Sequence, residues 1–425
     1  MSRVTQKPID ISNLVFKLTG KFKAPREGEV GIGKSWVPPL TLNLKNQAPI
    51  EPVNTRKLRA ANLPDSFCWT DNDSVEKYKG DEYTNLLSNV GSQGQCGMCF
   101  AYAATTSLGD RFAIATRSKN PQLGPTYLLS CSITGDCNKT ELMGCNGGII
   151  STALNNMGTV IGGVKNKCSD LSWLPPDNEA VEDMNALIPK FTPLGSQCPT
   201  DPPIDISYYK VIPDSVKVLE TPEQVKDDLF QYGPIPAGFK VFADFMVGST
   251  GDYANNPWEA TGGIYCHLDA DVETGKTPAG DDFPYKYSDV VGMCSEMGGH
   301  AVVIVGWGEA EVPNFLPKAM PGKDKITIPY WVVRNSWGDK WCNGGYFKIA
   351  ISNPSLYLNS NVMLDTPKEG FGGAVTFKPD LETLPDDHFD DGGESGSKSS
   401  NKTWVWIILI ILVAAAVIYF YKKHY

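Results

Sequence analysis

The chain has 425 residues, 41% of them hydrophobic and 20% charged, which is an ordinary globular balance and is long enough for two or three domains. A formal net charge of -10 excludes the basic footprint expected of a nucleic-acid binder. Composition leaves the remaining function classes open, so position has to carry the reading.

Residues 1–62 are rich in proline and locally basic at Arg56, Lys57 and Arg59, and they contain no apolar stretch long enough for a signal peptide. The texture changes at Leu63-Pro64-Asp65-Ser66-Phe67, where a folded unit spanning 63–378 is expected to begin. Apolar residues at Phe100, Ala103, Ala104, Leu108 and Phe112 predict a helix over Cys99–Ala115. Short β-branched runs bounded by Gly or Pro predict buried strands at Pro234–Phe239, Ala301–Gly306 and Tyr330–Val333. Helices first and strands later point to an α+β protein with two subdomains.

Residues 379–403 read as an acidic Gly/Ser tether with too little apolar content to fold. The uncharged run Trp404–Tyr421 follows, with Lys422 and Lys423 behind it in the tail 422–425. At about 1.5 Å per residue such a run comes close to crossing a ~30 Å hydrocarbon layer, so it is expected to be a single-pass membrane anchor. Insertion tail first would leave the domain in the cytosol with its eleven cysteines reduced, whereas the lysines behind the span favour a cytoplasmic tail. The orientation stays open at this level. The sequons at Asn72, Asn138 and Asn401 bear on it only in a lumenal setting.

Three islands carry chemistry: QGQCGMCFA at 93–101, Gly298-Gly299-His300-Ala301-Val302, and Asn335-Ser336-Trp337-Gly338. Cys99 stands at a predicted helix N-terminus, where unpaired N–H groups and the helix dipole favour a thiolate. Of the four histidines, His388 falls in the tether, His424 beyond the span and His267 in an irregular stretch, which leaves His300 on a rigid element as the base. Asn335 has a side-chain oxygen suited to orienting that ring, and Trp337 is placed to shield the hydrogen bond from water. Gln93 and the Cys99 N–H are the candidate donors to an oxyanion. No metal and no cofactor is expected.

These islands resemble the nucleophile, histidine and asparagine segments of the papain and cathepsin family of cysteine peptidases. A fourth match is Leu128-Leu129-Ser130-Cys131 followed by Gly144-Cys145-Asn146-Gly147-Gly148. The resemblance covers roughly residues 63 to 350 and implies a helical left subdomain, an antiparallel β-barrel-like right subdomain and an active site in the cleft between them. It implies peptide-bond hydrolysis of protein or peptide substrates by Cys99, His300 and Asn335, with Gln93 in the oxyanion hole, Trp337 in support, and Gly147 and Gly148 along the substrate backbone. It also implies disulfides Cys96–Cys145 and Cys131–Cys168. A further pair, Cys266–Cys294, is expected to close an insertion peculiar to this chain, and Cys68, Cys137, Cys198 and Cys342 are left unassigned.

The chain departs from the family at Phe100, where tryptophan is usual, and at Met98, where a small residue is usual. The stretch from Cys266 to Met297 is long enough to be expected as a lid over the cleft. Residues 1–62 show no long inhibitory propeptide, and a short one removed before Leu63, as in the cathepsin B branch, is expected instead. The C-terminal anchor resembles that of membrane-anchored members encoded by large DNA viruses. Two other classes fit parts of the sequence: a thiol–disulfide oxidoreductase using the C-x-x-C pair Cys96 and Cys99, and a catalytically silent anchored peptide binder.

Overall fold

The computed structural model describes residues 63–384, apart from 352–372 and shorter stretches between 138 and 295. The chain divides into two units, 1–387 and 388–425, and every described residue belongs to the first. The expected propeptide, the span at 404–421, the sequons at Asn138 and Asn401, Cys294 and most of the expected lid lie outside the described residues.

Among the described residues, five α-helices precede or flank the main strands. Helix α1 (Asn72–Tyr78) starts at Asp71, whose carboxylate accepts from the Asp73 and Ser74 N–H groups and so satisfies two otherwise orphan donors. Helix α2 (Cys99–Thr116) matches the expected span to within one residue and is buried from Cys99 to Ile114, as a helix in the middle of a core must be. Helices α3 (Thr126–Thr134) and α4 (Ile150–Thr159) pack in the same half. Helix α5 (Pro222–Tyr232) has Thr221 as its N-cap and a proline in the first turn, and Gly233, with φ of 104°, ends it.

The strands are β1 (Phe67–Cys68), β2 (Leu123–Gly124), β3 (Gly163–Lys165), β4 (Gln197–Cys198), β5 (Ile204–Asp205), β6 (Tyr208–Tyr209), β7 (Lys217–Val218), β8 (Ile235–Phe242), β9 (Ile264–Tyr265), β10 (Glu296–Pro313), β11 (Lys325–Arg334), β12 (Tyr346–Ala350) and β13 (Gly373–Thr376). The large sheet runs β7-β13-β8-β10-β11-β12-β9 with β1 also on β10, and it is antiparallel except for β12 with β9. Among the described residues this sheet stays open instead of closing into a barrel. Strand β10 is far longer than the apolar run that announced it, because its polar half, Glu309–Pro313, pairs with the alternating Lys325–Pro329 segment of β11. That register needs no continuous hydrophobicity.

Two hydrophobic clusters share β10. Val302 and Ile304 face the strand-side core with Phe239, Trp331 and Phe347, while Ala301, Val303 and Val305 face the helical core with Phe100, Leu108 and Phe112. A strand buried on both faces reads as an unbroken apolar run, which is why Ala301–Val305 shows no alternation.

The disulfides are partly as expected. Cys96 and Cys145 are bonded, with Cα atoms 4.5 Å apart. Cys131 pairs with Cys137 and not with Cys168, which is itself disulfide-bonded. The reason is local: Gly135 ends α3 in the left-handed region at φ 96°, turning the chain so that the Cys137 N–H reaches the Cys131 carbonyl at 3.2 Å. The expected Cys266–Cys294 bond is also absent, because Cys266 is a thiol packed into the strand-side core, its pKa pushed up by burial and then by Asp244. Residues 379–384, counted with the tether from composition, belong to the domain: Asp380 N–H donates to Lys210 O at 2.9 Å and Pro379 bridges Val211.

Candidate active site

Cys99 is the first residue of α2, and no side chain caps that helix end. The first N–H groups of a helix have no intrahelical acceptor, and the backbone of Ala301, Phe100 and Cys99 itself acts to lower the thiol pKa. Burial outweighs them and leaves the thiol raised. Ala301 directly follows His300, so the strand bearing the imidazole approaches the helix bearing the thiol.

His300 is 6% exposed and held on three sides. Trp337 stacks on its ring at 4.8 Å and 30°, and Phe239, its partner across the β8–β10 ladder, meets it edge-on at 5.9 Å. The third contact fixes the proton. Asn335 Oδ1 accepts the backbone N–H of Ser336 at 2.8 Å, so this atom is the amide oxygen and cannot donate. His300 Nε2, 2.7 Å from the same oxygen, must therefore carry the hydrogen. The neutral ring then presents an unprotonated Nδ1, the form a general base needs. Burial depresses the imidazole pKa to about 4, only partly offset by the Asn335 hydrogen bond. Burial thus disfavours either charge alone, and a proton passing from thiol to imidazole has to create both together.

Gln93 is clamped at both ends of its amide. Its oxygen accepts from Ser336 Oγ at 2.6 Å, its Nε2 donates to Cys96 O at 2.9 Å, and its backbone N–H donates to Ser336 O at 2.8 Å. One Nε2 hydrogen is used, and an amide nitrogen carries two. The pairing continues through the Ser92–Trp337 bridge and Gly338 N–H to Gly91 O at 2.9 Å, so the glutamine and asparagine segments run side by side. Ser336 is thus a positioning residue for both; sequence reading quoted it only as the middle of a motif.

The Cys96–Cys145 disulfide and a 2.8 Å bond from Gly97 N–H to Cys145 O join the nucleophile loop to the loop bearing Gly147 and Gly148. Gly147 has φ of 105°, a conformation that favours glycine, and a Cβ on Gly148 would come within 2.8 Å of the Phe100 ring. Phe100 and Met98 are fully buried beneath this loop, so the two departures from the family pattern fall within the helical core. His267 is elsewhere: its Nδ1 bonds Asp244 Oδ2 at 2.8 Å and its ring stacks on Phe242 at 4.1 Å. No group of three or more metal-ligating side chains occurs among the described residues.

Sequence reading also missed the charges behind the site. Asp110 pairs with Arg334 at 2.7 Å with both side chains almost fully buried, and Arg111 pairs with Asp228 while also donating to Pro234 O at 3.0 Å. The available signal was an Asp-Arg pair inside an otherwise uncharged helix.

The sequence profile described as "Papain family cysteine protease" matches residues 74–268 and 278–365. The chain belongs to the papain family of cysteine proteases. It is 27% identical over 307 residues to "Probable cysteine proteinase 224L" of Invertebrate iridescent virus 6, covering 68% of this chain and 62% of that protein. It is 26% identical over 328 residues to "Cathepsin B-like cysteine proteinase 3" of Caenorhabditis elegans, covering 74% of this chain and 71% of that protein. A second protein of the same virus, "Probable cysteine proteinase 361L", is 28% identical over 362 residues, and the match again spans 62% of its length. Among solved structures, "proCathepsin B S9 from Trypanosoma congolense" superposes with a TM-score of 0.48 at 20% identity, covering 79% of this chain and 84% of that chain. The papain-family match takes in all three islands, and the helices and antiparallel ladders are those of a mixed α+β protein.

Proposed function

We propose that this papain-family chain is an endopeptidase or exopeptidase that hydrolyses peptide bonds through Cys99. The carrying observation is the Asn335 oxygen that accepts from both Ser336 N–H and His300 Nε2, which supports an Nδ1 free to take the Cys99 proton. The thiolate attacks the scissile carbonyl, and Gln93 Nε2 with the Cys99 N–H receives the oxyanion. The imidazolium protonates the leaving amine. Water, deprotonated by the same imidazole, then cleaves the thioester acyl-enzyme. Gly147 and Gly148 lie along the substrate backbone. The redox alternative is disfavoured because Cys96 is bonded to Cys145 and buried, which leaves no Cys96/Cys99 dithiol. An intact set of Gln93, Cys99, His300 and Asn335 weighs against a silent binder.

The test is an epoxide inhibitor selective for papain-type thiols, applied to the purified chain and mapped by mass spectrometry. A single adduct on Cys99 that requires His300 is expected, in a product beginning near Leu63 after removal of a short propeptide. No adduct on Cys99 would reject the reading.

The run 404–421 supports a C-terminal membrane anchor, similarity to proteinases of Invertebrate iridescent virus 6 supports a host or virion membrane, and the paired cysteines support a domain that matures in oxidising surroundings. After alkaline carbonate extraction the full chain should stay in the membrane pellet, while a chain ending at Leu384 should be released. Release of both would remove the anchor from the proposal.

A further inference from the structure

The Asp110–Arg334 ion pair has no part in the chemistry above, yet it sits where the segments bearing that chemistry meet. Asp110 lies eleven residues beyond Cys99 on the same helix, about 16 Å along its axis. Arg334 ends β11 and directly precedes Asn335. Between them is Ser88, five residues before Gln93.

The contacts close a ring. Asp110 Oδ2 accepts from Arg334 at 2.7 Å, while its Oδ1 accepts the Ser88 N–H at 2.5 Å and Asn120 Nδ2 at 3.0 Å. A second guanidinium nitrogen of Arg334 donates to Ser88 O at 3.0 Å. Ser88 Oγ in turn donates to Thr106 O, back on helix α2, at 3.1 Å. The two charged side chains are 0% and 2% exposed, so each group depends on its partners for all the hydrogen bonding that water would otherwise supply.

We propose that the Asp110–Arg334 pair is a positioning device. It fixes the helix of Cys99, the strand end of Asn335 and the segment of Gln93 in one register, so that the thiol, the imidazole held by Asn335 and the oxyanion donor converge. This rests on the hydrolytic reading above. Buried ion pairs are poor sources of net stability, because well-packed neutral replacements are often as stable; their better-attested use is to enforce one arrangement. Here the arrangement matters at the 2.7 Å His300–Asn335 bond, which a small shift of the residue next to Arg334 would lengthen. Arg334 and Asp110 touch neither sulfur nor imidazole, and they act through Asn335, Gln93 and α2.

The test uses the full chain carrying Asp110→Asn together with Arg334→Gln, which removes both charges but keeps groups able to hydrogen-bond, and Asp110→Asn alone beside it. Folding is checked by circular dichroism and thermal melting. Hydrolysis of a peptide amide is then measured, with the rate of Cys99 alkylation by iodoacetamide followed across pH. In the folded double variant kcat should fall about tenfold or more while KM stays within about twofold. The alkylation rate near neutral pH should fall, because a thiol whose imidazole is misaligned has no base to take its proton. A folded double variant with unchanged kcat and an unchanged alkylation profile overturns the inference. So does failure of both variants to fold, since the pair would then serve folding alone. Wild type and Cys99→Ala are run in parallel: an inactive wild type or an active Cys99→Ala would overturn the hydrolytic reading, whereas an active wild type with an indifferent double variant overturns only the positioning role.

Discussion

Cys99→Ala should lose hydrolysis of a peptide amide by about 10⁴-fold or more in kcat, and His300→Ala should lose nearly as much, because nucleophile and base act as one unit. The double substitution should cost little more than either alone. Asn335→Ala should cost less, about 10- to 100-fold, since it removes the group that sets the tautomer and leaves the reacting atoms in place. The reason lies in the geometry: the hydrogen on His300 Nε2 is held by an oxygen already fixed by Ser336, and without that acceptor either ring nitrogen can carry the proton. The measurement is kcat and KM on one substrate for wild type and all four variants, each checked for native circular dichroism. Substantial turnover in Cys99→Ala would remove the nucleophile from the scheme.

The second large effect is on stability and depends on pH. Burial lowers the His300 pKa to about 4 in the folded chain, whereas the unfolded chain should titrate near the ordinary histidine value of about 6.5. Between those values the unfolded state binds more protons, so acid favours unfolding. The contribution is intact above about pH 6.5, is lost progressively as pH falls toward about 4, and changes no further below that; in total it is on the order of 3 kcal/mol. Cys99→Ser is the protein in which to see it, because no thiolate is then present to stabilise an imidazolium. Urea unfolding of Cys99→Ser at pH 7 and pH 4.5 should show the loss, and Cys99→Ser with His300→Gln should lack that component. Equal pH dependence in the two proteins would mean that the ring is accessible to solvent and protonates freely.

Much of the site was legible because its chemistry is short-range. The helix start at Cys99 follows from apolar spacing, and the rigid strand at His300 from a β-branched run between glycines. Both are local signals, and α2 begins at the expected residue. Two of the errors fell on cysteines. Family resemblance placed Cys131 with Cys168, but six residues of separation and a left-handed Gly135 bring Cys137 to it first. Cys266 was given to an insertion, whereas the parallel pairing of β9 with β12 carries the chain into the strand-side core at that point. Sequence order carries no signal for either contact.

By itself the sequence determined the residue types of a thiol site, their order along the chain, the elements that bear them and the family they belong to. Only the tertiary structure decided which proton state they adopt and what holds them. The tautomer of His300 depends on Ser336 N–H meeting the same oxygen, the aim of the Gln93 amide on Ser336 Oγ, 243 residues away, and the alignment of helix and strand on Asp110 meeting Arg334. Hydrogen bonds and buried charges act over about 3 Å in space, and periodicity along a chain reports which face is buried but not which distant polar group will be waiting there.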